Sequence, residues 1–519
     1  MRWHRMPTHP LILGLALILG AGACTETKYV ERDPVNPPPD PTSGFLGYYD
    51  AASKQTTCGN CHISHQADWV STAHASAWDA LPANPPASCA GCHTVNGKGN
   101  GITDSAGYLK TQVAAYHDVQ CESCHGPGET HANNPDGGTV PLPHIGLGDS
   151  AASCAACHSG AHTPYAEEWG QSGHADSVGM DHPATTAGCQ GCHEGRAAIM
   201  KFNGNHSTRY IDSVGTKTIV CVVCHDPHGS PNEAQLRAPI NTPDPTQNLC
   251  MQCHLRGTTP SVTYTRGGRG AHASQGPILL GENAGWIPVG FYFDSAGMYS
   301  SHGSTANPKL CAGCHVNRIT VSDENGFVFQ STGHLFRPIP CVDDTGKPLA
   351  DNSCDYTSTA RNWSSCTNAG CHASATVAAN FFNNERNTVK GLVDQLWTDV
   401  NGNKTLDAFP TDSGYLAQVY ASTPGEFSNA NGVSVAEGAL FNATMFAEKT
   451  LYDHSDGSYG VHNPFYYEAL LSASIDAMET QYALPAPRPE LQAVMTRALA
   501  RPGVRYAPPA SATRVAADR

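Results

Sequence analysis

Two cysteines followed by a histidine recur along this chain at one fixed spacing. Eight copies read Cys-x-x-Cys-His, which is the attachment signature of c-type haem. The two thiols form thioethers with the porphyrin, and the histidine is placed to ligate the iron. We number the copies motifs 1 to 8: Cys58/Cys61/His62, Cys89/Cys92/His93, Cys121/Cys124/His125, Cys154/Cys157/His158, Cys189/Cys192/His193, Cys221/Cys224/His225, Cys250/Cys253/His254 and Cys311/Cys314/His315. Eight uniform copies do not arise by chance, so the spacing predicts covalently bound haem.

A ninth motif is widened, with four residues between Cys366 and Cys371 before His372. The nine motifs use 18 of the 21 cysteines. We therefore expect nine covalently bound c-type haems, lying close together along residues 51–372.

Nine irons with two axial ligands each need nine further ligands. Fifteen histidines lie outside the motifs and the first 23 residues. Any one of them can instead be a surface residue or a partner of a haem propionate. Neutral imidazole is the ligand form. From local context we select His74, His131, His174, His206, His228, His272, His302, His334 and His462, with His117 and His454 in reserve.

The N-terminus predicts export. Residues 1–23 form a signal peptide, with an apolar stretch at 11–23 that is too short to span a bilayer. Cys24 follows either an A-x-A cleavage site or a loose lipoprotein box, so secretion and lipidation both stay open. Residues 24–50 are a Pro-rich tether. We expect the outer membrane, the cell surface or the extracellular space, with the periplasm as the alternative.

Three further features concern the remaining polar residues. Cys341 and Cys354 flank a polar loop, and in an oxidising compartment we expect them to form a disulfide. Two free thiols are the alternative, and Cys354 as a haem thiol would leave Cys366 without a role. Residues 399–407 partly match a calcium loop but lack the glutamate at position twelve, so a plain polar turn competes.

The composition predicts a mainly α fold with extensive loops, in which porphyrins supply much of the core. The chain has 51 glycines, 37 prolines and a net charge of −15, which excludes a basic nucleic-acid surface. The segment around Trp69 and His74 is repeated around Trp169 and His174, which indicates a duplicated unit.

After the haem region, residues 373–482 carry helical patterning and supply a distal histidine. Apolar residues at helical spacing predict helices over 388–398 and 434–452. Asn463 and Pro464 predict a helix start directly after His462. We expect 483–519 to be a loosely ordered tail.

Several segments resemble multihaem c-type cytochromes of the nitrite reductase and hydroxylamine oxidoreductase superfamily, which includes surface cytochromes of metal-reducing bacteria. They are CESCHGPGETH (121–131), CVVCHDPHG (221–229), HASQGPILLG (272–281) and GVHNPFYYEALL (460–471). The resemblance spans roughly residues 55–482. It implies that the histidine of the His-Asn-Pro segment, His462, is a distal ligand. All nine motifs end in histidine, whereas the nitrite reductases usually carry one ending in lysine.

Three functions stay open at this stage. The first is long-range extracellular electron transfer through bis-histidine haems to Fe(III) or Mn(IV) minerals, to other cytochromes or to a porin–cytochrome conduit, with no nucleic acid as partner. Membrane association would come from a lipid on Cys24. The second is an oxidoreductase that reduces a nitrogen or sulfur oxyanion at one open haem. The third is a subunit of a conductive filament.

Overall fold

The computed structural model describes residues 37–102, 105–137, 140–143, 154–160, 162–176, 187–203, 217–256, 258–260, 271–428, 432–448 and 454–507. The predicted signal peptide, Cys24 and His206 lie outside the described residues. Within them the chain is mainly α-helical with long loops and little sheet, which confirms the predicted fold class.

The haem region consists of short helical segments. They are α1 (Ile63–Trp69), α2 (Ala87–His93), α3 (Tyr108–Thr111), α4 (Cys121–His125), α5 (Glu129–Asn133), α6 (Cys154–Cys157), α7 (Tyr165–Gly170), α8 (Ala187–His193), α9 (Gly195–Asn203), α10 (Cys221–Cys224), α11 (Gln275–Leu280), α12 (Ser295–Met298), α13 (Cys311–His315) and α14 (Ser364–Thr367). Most Cys-x-x-Cys pairs lie on one helical turn. Because residues three apart share a helix face, both thiols of a motif can face one porphyrin.

The sheets are three antiparallel pairs of short strands. They are β1 (Tyr48–Asp50) with β2 (Gln55–Thr56), β3 (Phe291–Phe293) with β6 (Val504–Tyr506), and β4 (Thr320–Asp323) with β5 (Gly326–Gln330). The β3–β6 pair joins the C-terminal residues to the middle of the chain.

The repeated segment seen in the sequence is also a structural repeat. Trp69 Nε1 donates to the Val119 carbonyl at 3.0 Å, and the Val119 amide donates to the His74 carbonyl at 3.1 Å. The second copy has the same two bonds, from Trp169 to Ile219 at 2.9 Å and from Ile219 to His174 at 3.2 Å. The indole bond in each copy fixes the backbone that carries His74 or His174.

A bundle of longer helices follows motif 9. It contains α15 (Ala375–Leu396), α16 (Tyr415–Ser422), α17 (Val435–Phe446), α18 (Pro464–Tyr482) and α19 (Pro489–Leu499). The helices predicted at 388–398 and 434–452 fall largely within α15 and α17. Helix α18 begins after Asn463, whose side chain accepts from the Tyr466 amide at 3.2 Å. The Asn463 side-chain amide also donates to the Ile278 and Met298 carbonyls, which fixes the segment containing His462.

Two predicted boundaries differ from the structure. Residues 489–506, which we expected to be loosely ordered, form α19 and β6, because Leu491, Met495 and Ala498 are buried against the bundle. At the other end, the packed region begins before residue 50. Asp40 and Phe45 are buried, and Lys110 contacts the Asp40 carboxylate at 2.7 Å. Charge pairing and one buried aromatic ring therefore shorten the Pro-rich tether.

Glu385 on α15 gives a prediction about stability and pH. Burial and the nearby Glu468 raise its pKa to about 8, and its Oε1 has no hydrogen-bond partner. At pH values between roughly 4.3 and 8 the unfolded chain releases this proton while the folded protein keeps it, so stability falls as pH rises. We expect Glu385→Gln to raise the free energy of unfolding at pH 8 by on the order of 1–3 kcal/mol.

Guanidinium denaturation of the holoprotein, followed by circular dichroism at pH 4.5 and pH 8, measures this effect. The variant and the wild type should unfold alike at the lower pH. Glu490→Gln, at a side chain that is 66% exposed, is the matched control and should change neither value. Equal stability of Glu385→Gln and wild type at pH 8 would contradict the assignment.

Candidate haem-ligating sites

Hydrogen bonds at Nδ1 orient several of the predicted ligand rings. The motif histidines His93, His125, His225 and His315 pair through Nδ1 with backbone carbonyls at 2.5–2.9 Å. His302, a predicted distal ligand, does the same with the Val461 carbonyl at 2.6 Å. A ring that donates its Nδ1 proton keeps Nε2 as the lone-pair nitrogen, which is the usual arrangement around metal-ligating histidine. These rings are thus held in the tautomer that can bind iron.

Eight motif histidines each lie opposite one of the histidines selected from the sequence. The ring centroids are 6.3 Å apart for His62 and His131, 6.3 Å for His125 and His228, 6.1 Å for His158 and His74, 6.1 Å for His193 and His272, 6.3 Å for His225 and His334, 6.4 Å for His254 and His174, 6.1 Å for His315 and His462, and 6.3 Å for His372 and His302.

This spacing fits an iron atom between two imidazoles. A metal–nitrogen bond of about 2 Å on each side places the two ring centroids roughly 6 to 6.5 Å apart. Two other histidine pairs are too close for this, because His65 lies 4.5 Å from His228 and His454 lies 4.7 Å from His272. The donor set and its spacing therefore fit axial haem ligation.

Two histidines need separate comment. His65 lies 6.4 Å from His62 but on the same helical turn, whereas His131 comes from a different element, α5. Ligands on opposite faces of one iron are supplied more simply by His62 and His131. The reserve residue His117 stacks on Trp78 at 4.1 Å, and no motif histidine lies opposite it among the described residues.

Motif 2 is the exception among the nine. His93 bonds to the Ala77 carbonyl, but no other described histidine ring lies at the spacing found for the other motifs. Its predicted partner, His206, is outside the described residues. The second ligand of motif 2 stays a prediction.

Burial favours the ligand form of these histidines. Desolvation lowers the pKa of His74, His174, His315 and His334 to about 4, with further lowering from neighbouring histidines. Each ring is therefore neutral at physiological pH, and binding iron does not first require loss of a proton.

His462 differs from the others because a carboxylate contacts it. Its Nδ1 lies 2.7 Å from the Asp456 Oδ1, while Tyr467 and the Ser458 amide donate to Oδ2. Burial opposes the charged ring, but Asp456 outweighs burial and raises the pKa of His462. An imidazole that donates to a carboxylate is a stronger electron donor to its metal. Sequence reasoning missed Asp456, and the only signal was an acidic residue six positions before the histidine of His-Asn-Pro.

This contact leads to a prediction for the haem at motif 8. Asp456→Asn keeps the shape of the side chain but removes its charge, so the His462 ring donates less electron density and the reduced iron becomes relatively more stable. Loss of such a partner typically changes metal affinity by about 10–100-fold, and tenfold corresponds to about 59 mV for one electron. We expect the midpoint potential of one haem to rise by on the order of 50 mV. Spectropotentiometry of the two proteins measures the shift, and Asp476→Asn on α18 is the control.

The remaining polar features have different outcomes. Cys341 and Cys354 form the predicted disulfide. In the loop at 399–407, Asp399 accepts from the amides of Gly402, Asn403 and Lys404. Among the described residues no group of three or more His, Cys, Asp or Glu side chains is arranged to hold a metal ion. Calcium binding at 399–407 stays a prediction.

Two family models match the haem region. One describes a doubled CXXCH motif and covers residues 214–258, and the other describes cytochrome c554 and c-prime and covers residues 57–126. Together with the repeated motifs and the helical fold, they define the chain as a multihaem c-type cytochrome that carries covalently bound haem.

Individual relatives agree with that class. The chain is 26% identical over 196 residues to the multiheme cytochrome MtrA of Shewanella baltica (strain OS185), a match that covers 34% of this chain and about half (54%) of that protein. The crystal structure of the outer cell wall cytochrome OcwA overlaps 75% of both chains, with 20% identity and a TM-score of 0.43. None of the described helices combines the length and apolar character needed to cross a bilayer.

Proposed function

We propose that this cytochrome transfers electrons over long distances through bis-histidine haems. The observation that carries the proposal is the set of eight histidine pairs with ring centroids 6.1–6.4 Å apart. Haem held in this way supplies one-electron redox chemistry. The chain's own residues attach, orient and enclose the nine groups.

The ligand assignment follows from these pairs. The motif histidine binds on one face, and the second histidine of each pair binds on the other. Motif 9 takes part on equal terms, because His372 has His302 opposite it despite the wider cysteine spacing. For motif 2 we propose His206, on its sequence context alone.

Paired histidines favour electron transfer over substrate chemistry. An enzyme of the nitrogen- or sulfur-oxyanion class needs an iron with one open face. At the eight paired sites both faces are taken by imidazole, so a small anion has no position on the metal. The paired arrangement therefore supports a conduit more than a substrate-specific oxidoreductase.

Export and partners are proposed on the sequence. The segment 1–23 and Cys24 support a protein located beyond the cytoplasmic membrane, with a lipid anchor at Cys24. The net charge of −15 favours basic cytochromes and metal cations or oxides as partners. We propose Fe(III) or Mn(IV) minerals, or other cytochromes such as those of a porin–cytochrome conduit, as the electron acceptors.

Two assays of the purified holoprotein test this function. In the first, the reduced protein is mixed with a soluble Fe(III) chelate and with ferrihydrite, and haem reoxidation is followed optically. In the second, nitrite is added to the reduced and oxidised forms. We expect reoxidation by both iron substrates and no spectral change of the oxidised protein with nitrite. A nitrite-bound haem that turns over would contradict the proposal.

A further inference from the structure

The cysteine thiols of different motifs interact with one another in a defined pattern. Because each thiol bonds to the rim of its porphyrin, adjacent thiols from two motifs mark adjacent haem edges. Direct side-chain interactions join Cys58 with Cys121, Cys92 with Cys157, Cys154 with Cys221, Cys192 with Cys253, and Cys250 with Cys311. These contacts connect motif 1 to 3, 2 to 4, 4 to 6, 5 to 7, and 7 to 8.

Longer electrostatic contacts close the gaps between these pairs. Cys124 interacts with Cys154 and Cys157, which connects motif 3 to motif 4. Cys224 interacts with Cys250 and Cys253, which connects motif 6 to motif 7. Cys314 interacts with Cys366 and Cys371, which connects motif 8 to motif 9.

The motif histidines give the same neighbours. His158 interacts with both His93 and His225, so motif 4 lies beside motifs 2 and 6. His315 interacts with His254, and His62 interacts with His125. Two sets of side chains on opposite sides of the attachment sites therefore agree on the order.

The internal repeat supports this order independently. Motifs 1, 4 and 7 occur at equal intervals in the sequence. The connections from motif 1 through 3 to 4 occur again from motif 4 through 6 to 7. Motif 2 lies beside motif 4 in the first unit, and motif 5 lies beside motif 7 in the second. A duplicated unit predicts this correspondence.

The two ends of the series differ from its interior in exposure. All 18 motif cysteines are described, and only Cys61 of motif 1 and Cys371 of motif 9 are exposed. The other 16 are partly buried. The two attachment sites that open most to solvent are thus the first and last of the connected series.

We infer that the attachment sites form one continuous path in the order 1–3–4–6–7–8–9, with electrons entering and leaving at motifs 1 and 9. Motifs 2 and 5 are side branches, attached to the path at motifs 4 and 7. The inference rests on the proposed electron-transfer function and adds the order and the ends of the path, neither of which follows from sequence order.

Removing single motifs tests the path. The parent protein carries His302→Met, which gives the motif 9 haem a distinct spectrum and a higher potential. It also carries Ile63→Cys and Cys24→Ser, so that a ruthenium photosensitiser attaches at exposed position 63 beside motif 1. Cys221→Ser with Cys224→Ser removes the haem on the path at motif 6. Cys189→Ser with Cys192→Ser removes the haem of the side branch at motif 5.

Transient absorption after a laser flash then reports electron arrival at motif 9. We expect loss of the arrival signal without motif 6 and an unchanged rate without motif 5. Equal losses in both variants, or loss only without motif 5, would overturn the order. No arrival in the parent protein would instead contradict long-range transfer itself, so the two failures are distinguishable.

Mass spectrometry and circular dichroism first establish that each variant carries the remaining haems and is folded. If the motif 6 variant does not fold, the iron positions in a crystal structure of the wild-type holoprotein decide the question. The nearest irons should then follow the order 1–3–4–6–7–8–9. An iron of motif 2 or motif 5 lying within that line would overturn the inference.

Discussion

Replacing His462 with alanine should convert one haem of this protein from low-spin to high-spin. His462 lies opposite His315 with ring centroids 6.1 Å apart, so its loss leaves one face of the motif 8 iron without a protein ligand. An iron with an open face binds exogenous ligands, whereas a bis-histidine iron does not do so readily. We expect one haem per molecule to show a high-spin EPR signal that disappears when cyanide is added.

His454→Ala is the matched control. His454 is also a histidine near the bundle, but it lies only 4.7 Å from His272 and thus too close to share an iron with it. This variant should keep the wild-type count of low-spin haems. A high-spin signal from His454→Ala together with none from His462→Ala would show that the ligand assignment is wrong.

His302→Met should produce a large change in reduction potential. His302 lies opposite His372 of the widened motif, and the Val461 carbonyl fixes its ring. Met/His ligation raises the potential relative to bis-histidine ligation. Since axial ligands set potentials across roughly 0.8 V, we expect one haem to rise by on the order of 0.1 V or more.

Redox titration followed by optical spectroscopy measures this shift, because one haem should become reduced clearly before the others. His117→Met is the control, since His117 stacks on Trp78 and not opposite a motif histidine. A titration curve of His302→Met that overlays the wild type would contradict ligation by His302.

The sequence predicted the residues of the site better than their partners. Eight of the nine selected histidines lie opposite motif histidines in the structure, because an excess of histidine in a haem protein has few other uses. Their pairing could not be predicted, since the ligands come from distant parts of the chain. His74 pairs with His158 of motif 4, and His334 pairs with His225 of motif 6. Such crossings depend on how the duplicated units pack together, which local sequence does not encode.

The elements were predictable where local signals are strong. The Asn463 cap and the apolar spacing of α15 and α17 are local, and the structure contains them. Helix α19 lies in a Pro- and Arg-rich segment whose few apolar residues are buried only by contact with α18. The role of Asp456 was also hidden, because it depends on a contact with His462 across a turn.

EPR of the fully oxidised holoprotein, combined with haem quantitation, tests the central claim most directly. The account predicts nine haems per chain, with at least eight of them low-spin and with g values typical of two imidazole ligands. Fewer than eight covalently bound haems, or a high-spin signal from two or more of them, would contradict it.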